Sequence, residues 1–443
     1  MNGNWFLSTI LERKLNKSDL YYLNKIKEEQ DKVGPGFCVL KWYHQEMHLG
    51  SGINHSCYHC PTHQIPLNSD LHNTPHKIEQ RATMLDGGRP DECSYCWQVE
   101  DIDQISDRQT LAVQFFKHDP NIIAKATSSG LTPVYPKYLE LSFTNKCQMA
   151  CSYCGPTFST TWEKEIDKHG PYKLSKDYNS EHASQIENSP FVKKFWSWFP
   201  EAYKHLFVLR VTGGEPLLDK NTYKLLQYVK DHPKDGLTFH CNSNLMVSKA
   251  RVAKYIELVK DIPNTKLYVS IDTWGKQAEY IRHGLEISHF EDNLHKVLMS
   301  GIDVGLMITY NLLSIPNIEE LIYKVAELKL QYPGRIHWDS PHMTAPEHLS
   351  AQNSPDWLIS IMEKSLKLME TYPQFSQGEV AKYRRTVEWI KNNRFTGESL
   401  QRHRTDFITF VKEHDKRRNT SFINSFGSDG VKLIDDFSKN SYK

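Results

Sequence analysis

Three thiols stand within eight residues of one another. They are Cys147, Cys151 and Cys154, spaced C-x3-C-x2-C. Clustered cysteines of this kind read as metal or cluster ligands rather than as a disulfide framework. A structural zinc ion takes four tetrahedral protein ligands. This loop supplies three, and the next candidate, His169, lies well along the following segment. Three thiolates can instead hold three corners of a cubane iron–sulfur cluster and leave the fourth iron open to a substrate or cofactor.

Five more cysteines precede the loop: Cys38, Cys57, Cys60, Cys93 and Cys96. Two pairings are open. Cys57-x2-Cys60 with Cys93-x2-Cys96 makes a four-cysteine zinc ribbon, with His55, His59 and His63 as further donors. Alternatively Cys38, separated from Gly52 by thirteen residues, joins Cys57, separated from Gly52 by four, and the Cys93/Cys96 pair. The two sets differ in their spare thiol, Cys60 or Cys38. The ninth cysteine, Cys241, reads as a buried core thiol.

The elements that position these residues follow from the apolar pattern. Residues 1–30 read as a polar helical arm, 31–105 as a Cys-rich domain with one short helix over 76–85, and 106–136 as a linker. From 137 to 345, short apolar runs alternate with amphipathic stretches, the pattern of parallel β/α units. Strands are predicted over 138–143, 206–211, 237–241, 266–271, 305–310 and 335–339. Helices are predicted over 221–230, 248–259, 290–300 and 318–330. The fold class is α/β: a partial (β/α)6 TIM-like barrel, preceded by the Cys-rich domain and followed by a helical region over 346–443. Such barrels carry their chemistry at the C-terminal ends of the strands, and the three-cysteine loop follows the first strand directly. The aromatic run 195–199 reads as a packed helix end. The basic run 412–418 reads as a solvated helix face.

C-x3-C-x2-C after the first strand of a partial barrel resembles the radical S-adenosylmethionine (SAM) superfamily. The resemblance implies that Cys147, Cys151 and Cys154 bind a [4Fe–4S] cluster whose open iron chelates SAM. Reductive cleavage then gives a 5′-deoxyadenosyl radical that abstracts hydrogen from a substrate. Later turns extend it. Thr212-Gly213-Gly214-Glu215-Pro216 is similar to the family's GGEP motif, which receives the SAM ammonium. Asn242 lies in a turn similar to the family's Thr-Asn-Gly-Thr-Leu, with Ser243 where the family has Gly. Ser270 falls in a Ser-Leu-Asp-like stretch, and Arg282 falls where relatives carry an arginine near the SAM carboxylate. The N-terminal C-x(9–15)-G-x4-C element followed by C-x2-C is similar to twitch or SPASM-type extensions. That implies an auxiliary [4Fe–4S] cluster on Cys38, Cys57, Cys93 and Cys96, although the family places this extension after the barrel. Zinc stands as the alternative.

The resemblance also implies an electron donor such as flavodoxin or ferredoxin, and a peptide or protein substrate. A small molecule is the alternative substrate within the same chemistry. Tyr310, Trp338 and Asp339 are substrate-contact candidates by position alone. A non-catalytic iron–sulfur or zinc protein on the same scaffold is the competing class. The 443 residues are 39% hydrophobic and 24% charged, with a formal net charge of +1. That balance gives no global pull toward nucleic acid or anionic membrane. No window approaches the roughly 20 apolar residues of a membrane span, and the first residues hold too short an apolar run for a signal peptide. A cytoplasmic protein is expected.

Overall fold

The computed structural model describes residues 17–101, 105–179 and 188–439. The first part of the expected N-terminal arm lies outside them; its remainder is helical over Lys17–Val33. The strands in chain order are β1 (His44–His48), β2 (Ile53–His55), β3 (His63–Gln64), β4 (Tyr138–Ser142), β5 (Ala150–Cys151) and β6 (Val208–Thr212). They continue as β7 (Thr238–Ser243), β8 (Thr265–Ser270), β9 (Arg282–His283), β10 (Asp303–Met307) and β11 (Ile336–Asp339). The six apolar runs correspond to β4, β6, β7, β8, β10 and β11, displaced by at most three residues at either end.

Two compact units cut across the linear order. One holds the described residues of Met1–Thr144, Gln185–Val211 and Pro233–His240. Its strands run in the order β6-β4-β1-β2-β3. β1 lies parallel to β4, from His44 opposite Tyr138 to His48 opposite Ser142, and pairs antiparallel with β2. The apolar pattern does not announce β1–β3, because their sequences, His-Gln-Glu-Met-His among them, carry polar groups on one face. The helix Pro75–Leu85 starts as its sequence asks: Thr74 Oγ1 accepts from the Lys77 N–H at 3.3 Å, and proline opens the first turn. The aromatic run sits in the helix Pro190–Tyr203, with Phe195 and Phe199 wholly buried.

The other unit holds the described residues of Asn145–Ser184, Thr212–His232 and Cys241–Lys443. Its strands run β11-β10-β8-β7, with β8/β10 and β10/β11 parallel, and β5 pairs antiparallel with β9. Helices Lys220–Asp231, Lys249–Val259, Ile287–Met299 and Ile318–Gln331 match the predicted ones to within three residues. Asp219 caps the first of these, its Oδ1 accepting from the Asn221 N–H at 2.7 Å.

The expected helical region after 346 forms helices over Asp356–Thr371, Gln377–Asn392 and Gly397–Arg418. A fourth runs over Phe422–Lys439. Its buried face of Phe422, Phe426, Leu433 and Phe437 is interrupted by Gly427, whose φ of 56° breaks the helix. The structure corrects the candidates at 310, 338 and 339. Tyr310 is wholly buried with its hydroxyl 3.1 Å from that of Tyr383. Trp338 packs edge-on against Phe375 and Tyr383. Asp339 pairs with Lys382 at 2.5 Å. All three face helix Gln377–Asn392, because that helix covers this end of the strands.

Candidate active site

The cysteine loop is held by its carbonyls. Thr161 Oγ1 donates to Cys147 O at 2.8 Å and Ser159 Oγ to Met149 O at 2.6 Å. The Trp162 indole donates to Cys151 O at 2.8 Å and the Tyr178 hydroxyl to Cys154 O at 2.9 Å. From far along the chain, Arg418 Nη1 donates to Ala150 O at 2.6 Å. The Ser152 N–H reaches Ile281 O at 2.7 Å, which continues the β5/β9 pairing. With the backbone fastened, the sulfurs are what the loop has left to offer.

Each of two sulfurs meets a donor from another turn. Arg282 Nη1 lies 3.5 Å from Cys151 Sγ, and Asn244 Nδ2 lies 3.7 Å from Cys147 Sγ. Arg282 is itself fixed, donating from Nε to Asp272 Oδ2 at 2.9 Å and from Nη2 to the Tyr153 hydroxyl at 2.6 Å. Burial raises all three thiol pKa values, that of Cys154 to about 12. A bound cation must therefore displace those protons. The donor set fits an iron–sulfur cluster: three partly buried thiols on one pinned loop, flanked by an amide and a guanidinium that favour their ionised form.

The remaining predicted residues lie on neighbouring turns of the same unit. Gly213 has φ 112°. Gly214 sits against the loop so closely that a Cβ would stand 2.5 Å from Lys146 O and 2.6 Å from Asn145 C. The Glu215 N–H donates to Lys146 O at 2.8 Å. The Glu215 carboxylate turns inward. It accepts from the Leu217 N–H at 3.0 Å, the Ser243 hydroxyl at 2.9 Å and the Asn244 N–H at 2.6 Å. Burial nonetheless pushes its pKa up to about 7. Asn242 lies in β7 and Ser270 ends β8, both half-buried. Cys241 is wholly buried, as a core thiol should be. Sequence reasoning passed over Asn244, Tyr153, Asp272, Trp162 and Arg418. Asn244 and Asp272 stood inside the motifs, two residues from those chosen, and Tyr153 stands inside the cysteine loop next to Cys154. Trp162 and Arg418 carried no local signal.

In the first unit, all five N-terminal cysteines line one cavity, together with His59, Trp97 and Arg108. Cys60, a spare thiol in the set of Cys38, Cys57, Cys93 and Cys96, lies nearest to two others. Its sulfur is 3.5 Å from that of Cys57 and 3.8 Å from that of Cys93. Lys41 Nζ stands 3.6 Å from Cys60 Sγ and also pairs with Glu92. Burial pushes Cys38 and Cys96 to about 12. His63 does not join the thiols; its Nε2 bonds Thr74 Oγ1 at 3.0 Å.

Residues 141–325 match the sequence profile of the radical SAM superfamily. The chain carries a radical SAM domain. The cofactors that go with such a domain are a [4Fe–4S] cluster and SAM. Among curated relatives, it is 25% identical over 175 residues to the GTP 3′,8-cyclase of Campylobacter lari, covering 39% of this chain and 44% of that protein. It is 28% identical over 192 residues to the GTP 3′,8-cyclase of Aliarcobacter butzleri, covering 41% and 48%. The chain thus spans less than half the length of these two relatives. Among solved structures, SuiB of Streptococcus suis bound to S-adenosylmethionine aligns with a TM-score of 0.37 at 12% identity, over 74% of this chain and 69% of that one. The structure of anSMEcpe with bound AdoMet aligns with a TM-score of 0.36 at 14% identity, over 58% and 63%. Among the described residues, no helix is long and apolar enough to cross a membrane.

Proposed function

We propose that Cys147, Cys151 and Cys154 hold the radical SAM cluster and that the turns after β6, β7 and β8 receive SAM. Bound there, cluster and SAM supply reductive cleavage of the sulfonium and a 5′-deoxyadenosyl radical for hydrogen abstraction. The chain's residues do the positioning. The backbone at Gly213 and Gly214 presents carbonyls to the SAM ammonium. Glu215, its oxygens taken by three protein donors, acts as the latch that joins this turn to the one carrying Asn244. Asn242 and Ser270 face SAM. Arg282 orients the Cys151 thiolate and favours its charge.

The observation that carries this reading is the pinned loop: its carbonyls are bonded to the surrounding protein while two of its sulfurs face N–H donors. The test is anaerobic reconstitution with iron, sulfide, SAM and dithionite. 5′-Deoxyadenosine is expected from the native chain and not from Cys147→Ala/Cys151→Ala/Cys154→Ala. A loaded cluster that yields no 5′-deoxyadenosine would falsify the proposal.

The five-thiol cavity is proposed as a second metal centre of the same enzyme, an auxiliary [4Fe–4S] cluster. A zinc reading is favoured by one observation. Sulfurs 3.5 and 3.8 Å apart suit a tetrahedral ion with bonds of about 2.3 Å. Iron, zinc and acid-labile sulfide analysis of the triple variant separates the two, and zinc without sulfide would remove the auxiliary cluster. A peptide or protein is the proposed substrate, by likeness to enzymes with such extensions. The relatives named GTP 3′,8-cyclase favour a small molecule instead. Deuterium transfer from labelled candidates into 5′-deoxyadenosine distinguishes them. A low-potential flavodoxin or ferredoxin in the cytoplasm is the proposed electron source.

A further inference from the structure

A second cluster of ligating side chains lies in the first unit, on β1 and β2. In this antiparallel pair Glu46 stands opposite His55, Met47 opposite Asn54 and His48 opposite Ile53. Side chains alternate along a strand, and directly opposed residues share a face. Glu46, His48 and His55 therefore project to one face, while Met47 and Asn54 are wholly buried on the other. The outcome is compact: one ligand atom from each of the three lies within 4.8 Å of the others. Glu46 Oε1 is 3.5 Å from His48 Nε2, and the two imidazoles meet edge-on at 5.7 Å.

His55 carries the decisive detail. Its Nδ1 is 3.0 Å from the carbonyl oxygen of Cys60. A carbonyl can only accept, so the proton sits on Nδ1 and the neutral ring keeps its lone pair on Nε2. Histidines that bind metal are held this way, by a hydrogen bond from the other ring nitrogen. The next carboxylate along the sheet is already answered: Glu140, opposite Glu46 on β4, pairs with Arg210 at 3.5 Å and accepts from the Tyr138 hydroxyl at 3.1 Å. Glu46 is thus the carboxylate left facing the two imidazoles.

We infer that Glu46, His48 and His55 form a site for one divalent transition-metal ion, zinc or ferrous iron, separate from the cysteine centres. Two imidazoles and one carboxylate suit these ions and leave coordination positions open for water or an oxygen donor of a substrate. Tetrahedral bonds of about 2.0–2.2 Å set ligand atoms about 3.3–3.6 Å apart, and Glu46 Oε1 and His48 Nε2 already stand 3.5 Å apart. The His55–Cys60 hydrogen bond ties this site to the five-thiol cavity through the backbone.

The test uses the full chain with its iron–sulfur centres loaded, exposed anaerobically to zinc in one arm and ferrous iron in the other, then freed of loose metal. The expected result is one equivalent of added metal beyond the iron and sulfide already present. The X-ray absorption of the added zinc, taken as the difference from the chain before zinc addition, should show a nitrogen/oxygen shell at about 2.1 Å and no sulfur. Glu46→Gln and His55→Ala should each weaken binding by at least about 10- to 100-fold at unchanged sulfide content, since loss of an outer-shell partner alone costs that much. No added metal in the native chain, a sulfur shell, or undiminished binding in both variants would each overturn the site. The absorption measurement on the native chain stands whether or not the variants fold. Retention of one ion but not the other decides between zinc and ferrous iron.

Discussion

Gly214→Ala tests the link between the second turn and the cysteine loop. The added Cβ would lie 2.5 Å from Lys146 O, 2.6 Å from Asn145 C and 2.7 Å from Asn145 O, all backbone atoms. Contacts below 3.0 Å force a shift, so Lys146 O must retreat by about half an ångström to reach even that limit. No flexible side chain can absorb the move, and Cys147 follows directly. The 2.8 Å bond from the Glu215 N–H to Lys146 O stretches with it. Overpacking of this kind costs about 1–3 kcal/mol. Misplacing a reacting geometry by about 1 Å costs on the order of 100-fold in rate. The expected outcome is a folded chain with reduced iron at the three-cysteine site and 5′-deoxyadenosine formation down by about one to two orders of magnitude. Gly275→Ala is the control. At φ 64° it carries backbone strain but meets nothing within 4 Å, so it should cost about 1–2 kcal/mol and leave the cluster intact. Full iron and 5′-deoxyadenosine within about twofold of native in Gly214→Ala would refute the reasoning.

Glu215, with its pKa raised to about 7 by burial, favours folding most in its protonated form: that contribution is complete below the ordinary value of 4.5 and is lost as pH rises through 7. It amounts to about 3 kcal/mol. Thermal midpoints should fall between pH 5 and 8 in the native chain and much less in Glu215→Gln, and equal slopes would sink the assignment. Arg418→Ala removes the bond to Ala150 O, the 2.8 Å pair with Glu165 and the stacking on Trp162. A chelator should then strip iron from the three-cysteine site faster, with Arg418→Lys only partly restoring it because lysine lacks the fork; an unchanged rate would dismiss the tether. Cys60→Ala should cost the N-terminal centre more metal than Cys38→Ala, because Cys60 has the two nearest sulfur neighbours. Metal analysis of the two variants in the triple-variant background reads this directly, and the opposite ranking would restore the set without Cys60.

What the sequence made legible follows from range. Of the strands that showed as apolar runs, β4 is buried throughout, while β7, β8 and β11 alternate buried and half-buried positions; both patterns are recognisable without knowing the partner strand. The cysteine loop was legible because its three ligands are local. β1–β3 were not, since a strand with one polar face and a length of two to five residues resembles a loop. The direction in which the Glu215 side chain turns was not legible for a related reason. A motif names the residue, but which way its carboxylate turns depends on Ser243 and Asn244, nearly thirty positions away. Arg418 reads on paper as part of a solvated basic run, yet its side chain is buried between Glu165 and Trp162. Lys416 in the same run is exposed, as expected.

That division bears on how the three-cysteine site keeps its shape. A loop with Cys147, Cys151 and Cys154 has no regular secondary structure beyond the two residues of β5, so its conformation must come from outside. The bonds come from four directions: residues 159–162 just after it, Tyr178 on the same crossover, Ile281 and Arg282 beside β9, and Arg418 near the end of helix Gly397–Arg418. These contacts lie within one compact unit, so the loop can be rigid before any cluster binds. A rigid loop pays the ordering entropy at folding rather than at metal binding. The helical region after 346 therefore belongs to the cage around the three cysteines: Arg418 holds their loop even though it lies 264 positions beyond Cys154 in the chain.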